Sequence, residues 1–263
     1  MMIVIFLVLG LIIGSFLNVV IYRLDMAETL MGRSHCRHCK SMIAWYDNIP
    51  FFSFLLLRAR CRKCETKISW QYPAVEAVTG IVFALIASKF FSLLDTQTWF
   101  LTANYLVIFS ALIVIFVYDL LHMEIPMVVL WSAVFFAVFG NLVLDWNPEL
   151  ANSLLDSFTY SGTLGAFVVF VFFFLLSALS QEKWMGMGDV FLVILLGLLL
   201  GWPEILLAIF LAFLGGAVYG ILALALKKKK LTSQVPFAPF LIGGTFIALM
   251  WFDGIVSWYI NLF

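Results

Sequence analysis

The sequence predicts an all-α polytopic membrane protein, with about eight transmembrane helices and one small cytoplasmic loop domain. Composition is the first reason: 64% of the 263 residues are hydrophobic and 11% are charged, whereas soluble domains hold roughly half apolar and a quarter charged residues. The second is length, because the apolar residues fall into runs close to the ~20 that cross a bilayer core. The third is that lysine and arginine cluster in alternate connections although the formal net charge is +0, which is the signature of a fixed topology.

Taken in order, the runs predict spans at 2–22, 73–92, 99–118, 127–144, 160–180, 190–201, 204–226 and 236–258. The stretch from Met1 to Val20 has neither a basic leader nor a small-residue cleavage site, so it is expected to stay as the first span. The sixth run is short, but Gly201-Trp202-Pro203-Glu204 reads as a tight turn into the seventh. The expected organisation is a first transmembrane helix over 1–23, a loop domain over 24–72 and a seven-helix membrane domain over 73–263.

With the N-terminus outside, the inner connections hold Arg23, Arg33, Arg37, Lys40, Arg58, Arg60, Arg62, Lys63, Lys67, Lys183 and Lys227 to Lys230, leaving only Lys89 of the 15 basic residues outside. Positive residues accumulate on the cytoplasmic side, so residues 24–72 are expected in the cytoplasm. Lys227 to Lys230 abut a span and read as a headgroup anchor rather than a nucleic-acid site. No nucleic-acid partner is expected; the lipid bilayer is.

The loop carries all four cysteines, as Cys36-x-x-Cys39 and Cys61-x-x-Cys64 with twenty-one residues between the pairs. Two such pairs suit a tetrahedral four-thiolate site for Zn2+, and a reducing cytosol disfavours the alternative of disulfides. Four sulfur ligands leave no open coordination position, so the metal is expected to fold the loop rather than to do chemistry. His35 and His38 are neighbouring substitutes for a ligand or solvated side chains.

Polar residues inside spans are few. Ser15 and Asn18 lie about one turn apart on the first span, a spacing that suits interhelical hydrogen bonding. Glu76, just after Tyr72-Pro73, is a carboxylate that must be neutral or paired where it sits.

Two aspartates stand out. Asp119 ends the third span in Val117-Tyr118-Asp119-Leu120-Leu121-His122. Asp189 lies in Met185-Gly186-Met187-Gly188-Asp189-Val190, between two glycines and an apolar run. Alternating spans bring both to the inner face at one depth. Two close carboxylates cannot both stay ionised, so one serves as general base toward water and the other as general acid toward a carbonyl, the arrangement of an aspartyl protease. The glycines would let a substrate backbone approach. A plainer role for Asp189 is to cap the helix that follows, and depth alone leaves open that the two aspartates belong to unconnected helices. Glu124 and Glu182 are other acids on that face. A different class, a transporter or channel relaying protons through the aspartates, lacks the interrupted repeat halves common in transporters.

The chain resembles the bacterial type IV prepilin peptidases. The resemblance runs through Gly14-Ser15-Phe16-Leu17-Asn18-Val19-Val20-Ile21-Tyr22-Arg23-Leu24, the cysteines, Asp47-Asn48-Ile49-Pro50, Tyr72-Pro73 with Glu76, Asp119-Leu120 with Ile125-Pro126, Gly186-Met187-Gly188-Asp189-Val190 and Pro236-Phe237-Ala238-Pro239-Phe240-Leu241. The resemblance implies that Asp119 and Asp189 are the catalytic pair and that the cysteine loop is a zinc-bearing cytoplasmic domain. It implies cleavage of the leader of a type 4 prepilin or a type II secretion pseudopilin, after a glycine, at the cytoplasmic face of the bacterial inner membrane. It further implies methylation of the new N-terminal amine from S-adenosylmethionine, a function assigned loosely to the region of Glu76 and the loop. Asp25, Arg37, Met127, Phe191 and Ala238 depart from the residues usual in that pattern, and bear on substrate preference.

Overall fold

The computed structural model describes residues 2–29, 31–146, 157–183, 185–226 and 235–262. The basic run Lys227 to Lys230 lies outside them. The described residues form nine α-helices, one 3-10 turn and two isolated β-bridges, in two compact units, Met1–Val114 and Ile115–Phe263. Seven of the helices are long and apolar enough to cross a membrane, and the chain is all-α.

In the first unit α1 (Met2–Asp25) runs against α3 (Gln71–Phe90), with the cysteine loop, the 3-10 turn Trp45–Asn48 and the short α2 (Phe52–Leu56) between them in sequence. Lipid tails are as apolar as leucine, so helices in a bilayer are held by close packing rather than by burial from water. Glycine makes that closeness possible here. A Cβ on Gly10 would stand 2.7 Å from the Gly80 Cα, and one on Gly14 would stand 2.7 Å from the Glu76 Cα. Gly10 and Gly14 form a G-x-x-x-G pair that the span assignment did not single out. Asn18 continues the seam by donating to the carbonyls of Gly14 and Tyr72, both at 3.2 Å. Replacing Gly14 with Val is expected to push α1 off α3 and destabilise the unit by about 1–3 kcal/mol, the usual cost of overpacking. A lowered thermal midpoint in detergent checks it, and an unchanged midpoint would show that the seam does not hold the helices.

The second unit takes up the end of α4 (Thr96–His122) and all of α5 (Met127–Asp145), α6 (Phe158–Ser180), α7 (Met187–Leu200), α8 (Glu204–Ala225) and α9 (Ala238–Ile260). The short sixth span is α7. Its 14 residues reach only about 21 Å, against a hydrocarbon core of ~30 Å. It is tolerated because protein surrounds it: Val190, Leu192, Val193, Leu195 and Leu196 are fully buried, and α5, α6 and α9 pack around it. Gly197 lets α7 lie directly on the backbone of α6 at Ala166, and Asn141 of α5 donates to the Leu198 carbonyl at 2.9 Å. A short helix inside a protein sheath brings its first turn, with Asp189, beneath the cover of its neighbours.

α7 starts earlier than the sequence suggested. Gly186 is the N-cap residue and Asp189 lies within the first turn, so Asp189 is not the cap. The predicted Gly201 turn is present, with φ +76° at Gly201, a backbone region that favours glycine.

Candidate active site and metal centre

Four helix ends meet around the two aspartates in the second unit. Asp119 is three residues from the end of α4, and the chain turns there through Met123 to Pro126 before α5. α6 finishes at Ser180 and returns through the Met185–Gly186 segment into α7. α9 starts at Ala238. Asp119 lies close enough to Asp189 for its charge to act on the Asp189 carboxylate, so the two acids are electrostatically linked.

Each member is held by local structure. Asp119 is 5% exposed, and the backbone N–H of Ala238 faces its carboxylate. Its Oδ2 is buried with no hydrogen-bond partner among the described residues. A buried acceptor without a partner is rare and calls for water or a ligand. The segment before Asp189 is tied to α6 by the Ser177 hydroxyl, which donates to the Met185 carbonyl at 3.1 Å. Gly188 faces Ile125, whose side chain would lie 3.3 Å from a Cβ, so a larger residue there would disturb the register of the turn. Among the described residues Gly186 has nothing within 4 Å of such a Cβ, which leaves one side of the turn free of them.

The residues that depart from the resemblance find neighbours. Phe191 packs at a tilt against Trp131 of α5, with ring centroids 5.8 Å apart. Ala238 is fully buried, so its methyl fits where the N–H must face Asp119. Met127 opens α5 and Asp25 closes α1. The Ala238 N–H is a part of this site that sequence reasoning missed, because a backbone donor carries no residue signature.

In the first unit the four cysteine sulfurs lie within 4.8 Å of one another. The Cys36 and Cys64 Sγ atoms are 3.8 Å apart, which is about the edge of a tetrahedron with Zn–S bonds of ~2.3 Å. The two pairs are built alike. Cys36 N–H donates to the Ser41 carbonyl and Cys61 N–H to the Thr66 carbonyl, each at 2.9 Å. Lys40 and Glu65, the residues after the second cysteines, both have φ 55°. Ser41 approaches the Cys39 sulfur at 3.0 Å, and Thr66 approaches Cys64 at 3.3 Å. The Ser41 hydroxyl and N–H hold the Cys39 thiol down, from 9.0 to about 6, while burial pushes Cys36 up to about 11. The four sulfurs converge, and hydrogen-bond donors favour thiolate at Cys39 and Cys61, so this cluster suits a metal ion. His35 and His38 are not part of the converging group.

A cavity of about 440 Å³ lies beside the cluster, within the same unit, and Glu76 lines it. Glu76 is 6% exposed and accepts the Phe51 N–H at 2.7 Å, with the Ser15 hydroxyl beside it. The Asn18 Oδ1 is buried there with no partner among the described residues. Arg37 lies over Tyr22 at 4.4 Å and over Tyr72 at 5.3 Å, so these rings already face a cation. A deep acid and an orphan acceptor fit a small polar ligand carrying positive charge.

A helical polytopic membrane protein with paired carboxylates at the ends of its helices and a four-thiolate loop is a narrow class. Residues 8–90 match the bacterial peptidase A24 N-terminal domain, and residues 106–221 match the type IV leader peptidase family. Prepilin leader peptidase/N-methyltransferases are similar along nearly the whole length. That of Bacillus subtilis is 31% identical over 97% of this chain and 96% of its own, and that of Aeromonas hydrophila is 30% identical over 97% and 92%. That of Pectobacterium carotovorum is 32% identical over 92% and 91%. The chain belongs to the type IV leader peptidase family. No solved structure matches it.

Proposed function

We propose that this chain removes the leader peptide of type 4 prepilins or type II secretion pseudopilins, and then N-methylates the new N-terminal residue. Full-length similarity to relatives named for both activities supports the two reactions. The observation that carries the peptidase half is the approach of Asp119 to Asp189, with a buried acceptor on Asp119 left without a protein partner.

In this reading one carboxylate takes a proton from water as the water oxygen bonds to the scissile carbonyl carbon. The other carboxyl, protonated, gives its proton to the carbonyl oxygen. When the C–N bond breaks, the proton taken from water goes to the leaving amine, and one hydroxyl of the tetrahedral diol returns its proton to the second carboxylate, which leaves the carboxylic acid product. The Ala238 N–H keeps Asp119 oriented, and the open side of Gly186 admits the substrate backbone.

The methyl-transfer half is assigned to the first unit. S-adenosylmethionine, when bound, supplies an electrophilic methyl group for the new amine. Glu76 and Asn18 are the residues we assign to it, because an acid attracts a sulfonium and an orphan acceptor needs a donor. Zn2+ is assigned to Cys36, Cys39, Cys61 and Cys64 as a structural ion. Residues 1–23, 24–72 and 73–263 are taken as first helix, zinc-binding domain and protease-bearing membrane domain. The protein is a multi-pass bacterial membrane protein. The lysine and arginine distribution favours the inner membrane with the aspartates toward the cytoplasm.

The test is purified protein with a synthetic prepilin, read by mass spectrometry with and without S-adenosylmethionine. Leader loss in both samples and a methyl addition in one supports the reading; an intact peptide, with proton leak in proteoliposomes, overturns it in favour of a relay. Within the same assay, Glu76→Gln is expected to weaken donor binding on the order of tenfold, worth about 1.4 kcal/mol, while leaving cleavage intact. Equal loss of both activities would place Glu76 in the fold rather than in methyl transfer.

A further inference from the structure

The loop between α1 and α3 carries an apolar rim that its own fold does not cover. In α2, Ser53 and Phe54 face inward, 7% and 8% exposed, while Phe52, Leu55 and Leu56 face outward at 63%, 54% and 83%. Positions i, i+3 and i+4 share one side of a helix, so these three residues form a continuous edge. Trp45 and Trp70, also largely exposed, extend the apolar surface of the loop. Water alone is a poor solvent for it.

The geometry states at what level this rim stands. The Phe54 ring packs edge-on against Trp70, with centroids 4.9 Å apart, and Trp70 immediately precedes α3. One residue before α2, the Phe51 N–H donates to Glu76 at 2.7 Å. Glu76 is the sixth residue of α3, about 7.5 Å along the helix axis from its first residue. The start of α2 is therefore pinned beside the second turn of a helix that crosses the bilayer. Arg58 and Arg60, which follow α2, are exposed, as are Lys63 and Lys67. Outward apolar side chains, tryptophans and flanking cations at the mouth of a span are the composition of an element that lies in the lipid headgroup boundary.

We propose that α2 and its flanks form an interfacial foot, with Phe52, Leu55 and Leu56 inserted among anionic lipids and Arg58 and Arg60 at the phosphates. The foot fixes the height of the cysteine cluster and the adjoining cavity above the membrane. A protein partner is the competing occupant, and lipid is favoured because the foot is tied to α3 and the loop enters the bilayer at both ends.

The experiment uses full-length Leu56→Trp in vesicles of phosphatidylcholine and phosphatidylglycerol. Leu56 is mostly exposed, so the change does not touch the interior, and retention of bound metal checks that the loop is folded. The emission added relative to wild type is expected to be quenched by lipids brominated on their acyl chains and to resist aqueous iodide. Quenching by iodide with no effect of bromine overturns the proposal, since the segment then stands in water. Protection from both quenchers also overturns it, in favour of a covering protein. Arg58→Gln with Arg60→Gln should reduce the bromine effect in the anionic vesicles.

Discussion

Asp119→Asn and Asp189→Asn are each expected to cut leader cleavage by about 10²–10⁴-fold or more, the range associated with loss of a general acid or base. Asparagine keeps the shape and volume of aspartate, so both variants should still insert and keep their helices. The double variant is expected to be no worse than either single one, because residues acting as a unit lose nearly everything at the first substitution. The assignment also predicts a separation. The cavity with Glu76 belongs to Met1–Val114 and the aspartates to Ile115–Phe263. A prepilin supplied without its leader should thus still be methylated by Asp119→Asn. Peptide product from either aspartate variant, measured by mass spectrometry, would remove the dyad assignment.

Much of the fold was legible because a bilayer imposes one length on every crossing helix. The eight predicted spans are eight helices, with ends moved by a few residues. The cysteine spacing likewise pointed to one cluster, since two thiol pairs at short separation have few other uses. Where reading fell short, the missing information lay in pairs rather than in residues. Gly10 and Gly14 take their meaning from Gly80 and Glu76 on another helix, although the G-x-x-x-G spacing was available as a signal. The hydroxyls of Ser41 and Thr66, each two residues past a second cysteine, form a repeated pattern that becomes meaningful only once they approach sulfur. Asp189 was weighed as a helix cap because glycine precedes it, yet the cap is Gly186, and the acid sits one turn in, beside Asp119. The cavity at Glu76 needed the loop to fold back, which no periodicity announces.

Loss of the Zn2+ proposed for the cysteine cluster has the second largest expected effect, and it should fall unevenly on the two activities. Apart from two isolated bridges, the 3-10 turn and the five-residue α2, the described residues of the loop have no regular structure. The sulfur cluster joins its two cysteine turns, with an ion pair of exposed Arg62 to Asp47 in which Arg62 Nε donates at 2.8 Å, while Phe51 on Glu76 and Phe54 on Trp70 tie α2 to α3. Exposed pairs of this kind contribute about 0–1 kcal/mol, whereas structural zinc contributes on the order of 10–16 kcal/mol of apparent binding energy in small sites at neutral pH. The loop is therefore expected to unfold when the ion leaves. Cys36→Ser should lower bound zinc from one per chain to near zero by elemental analysis, and should open residues between α1 and α3 to proteolysis. The helices themselves should persist, because the glycine seam of α1 and α3 does not involve sulfur. Methylation should be lost with the loop, since Cys36, Arg37 and Phe51 line the cavity. Cleavage of a short soluble substrate should survive better, because Ala238, Ser177 and Ile125, which order the surroundings of the aspartates, belong to the second unit. Full methylation by a zinc-free protein would show that the cavity is not the donor site.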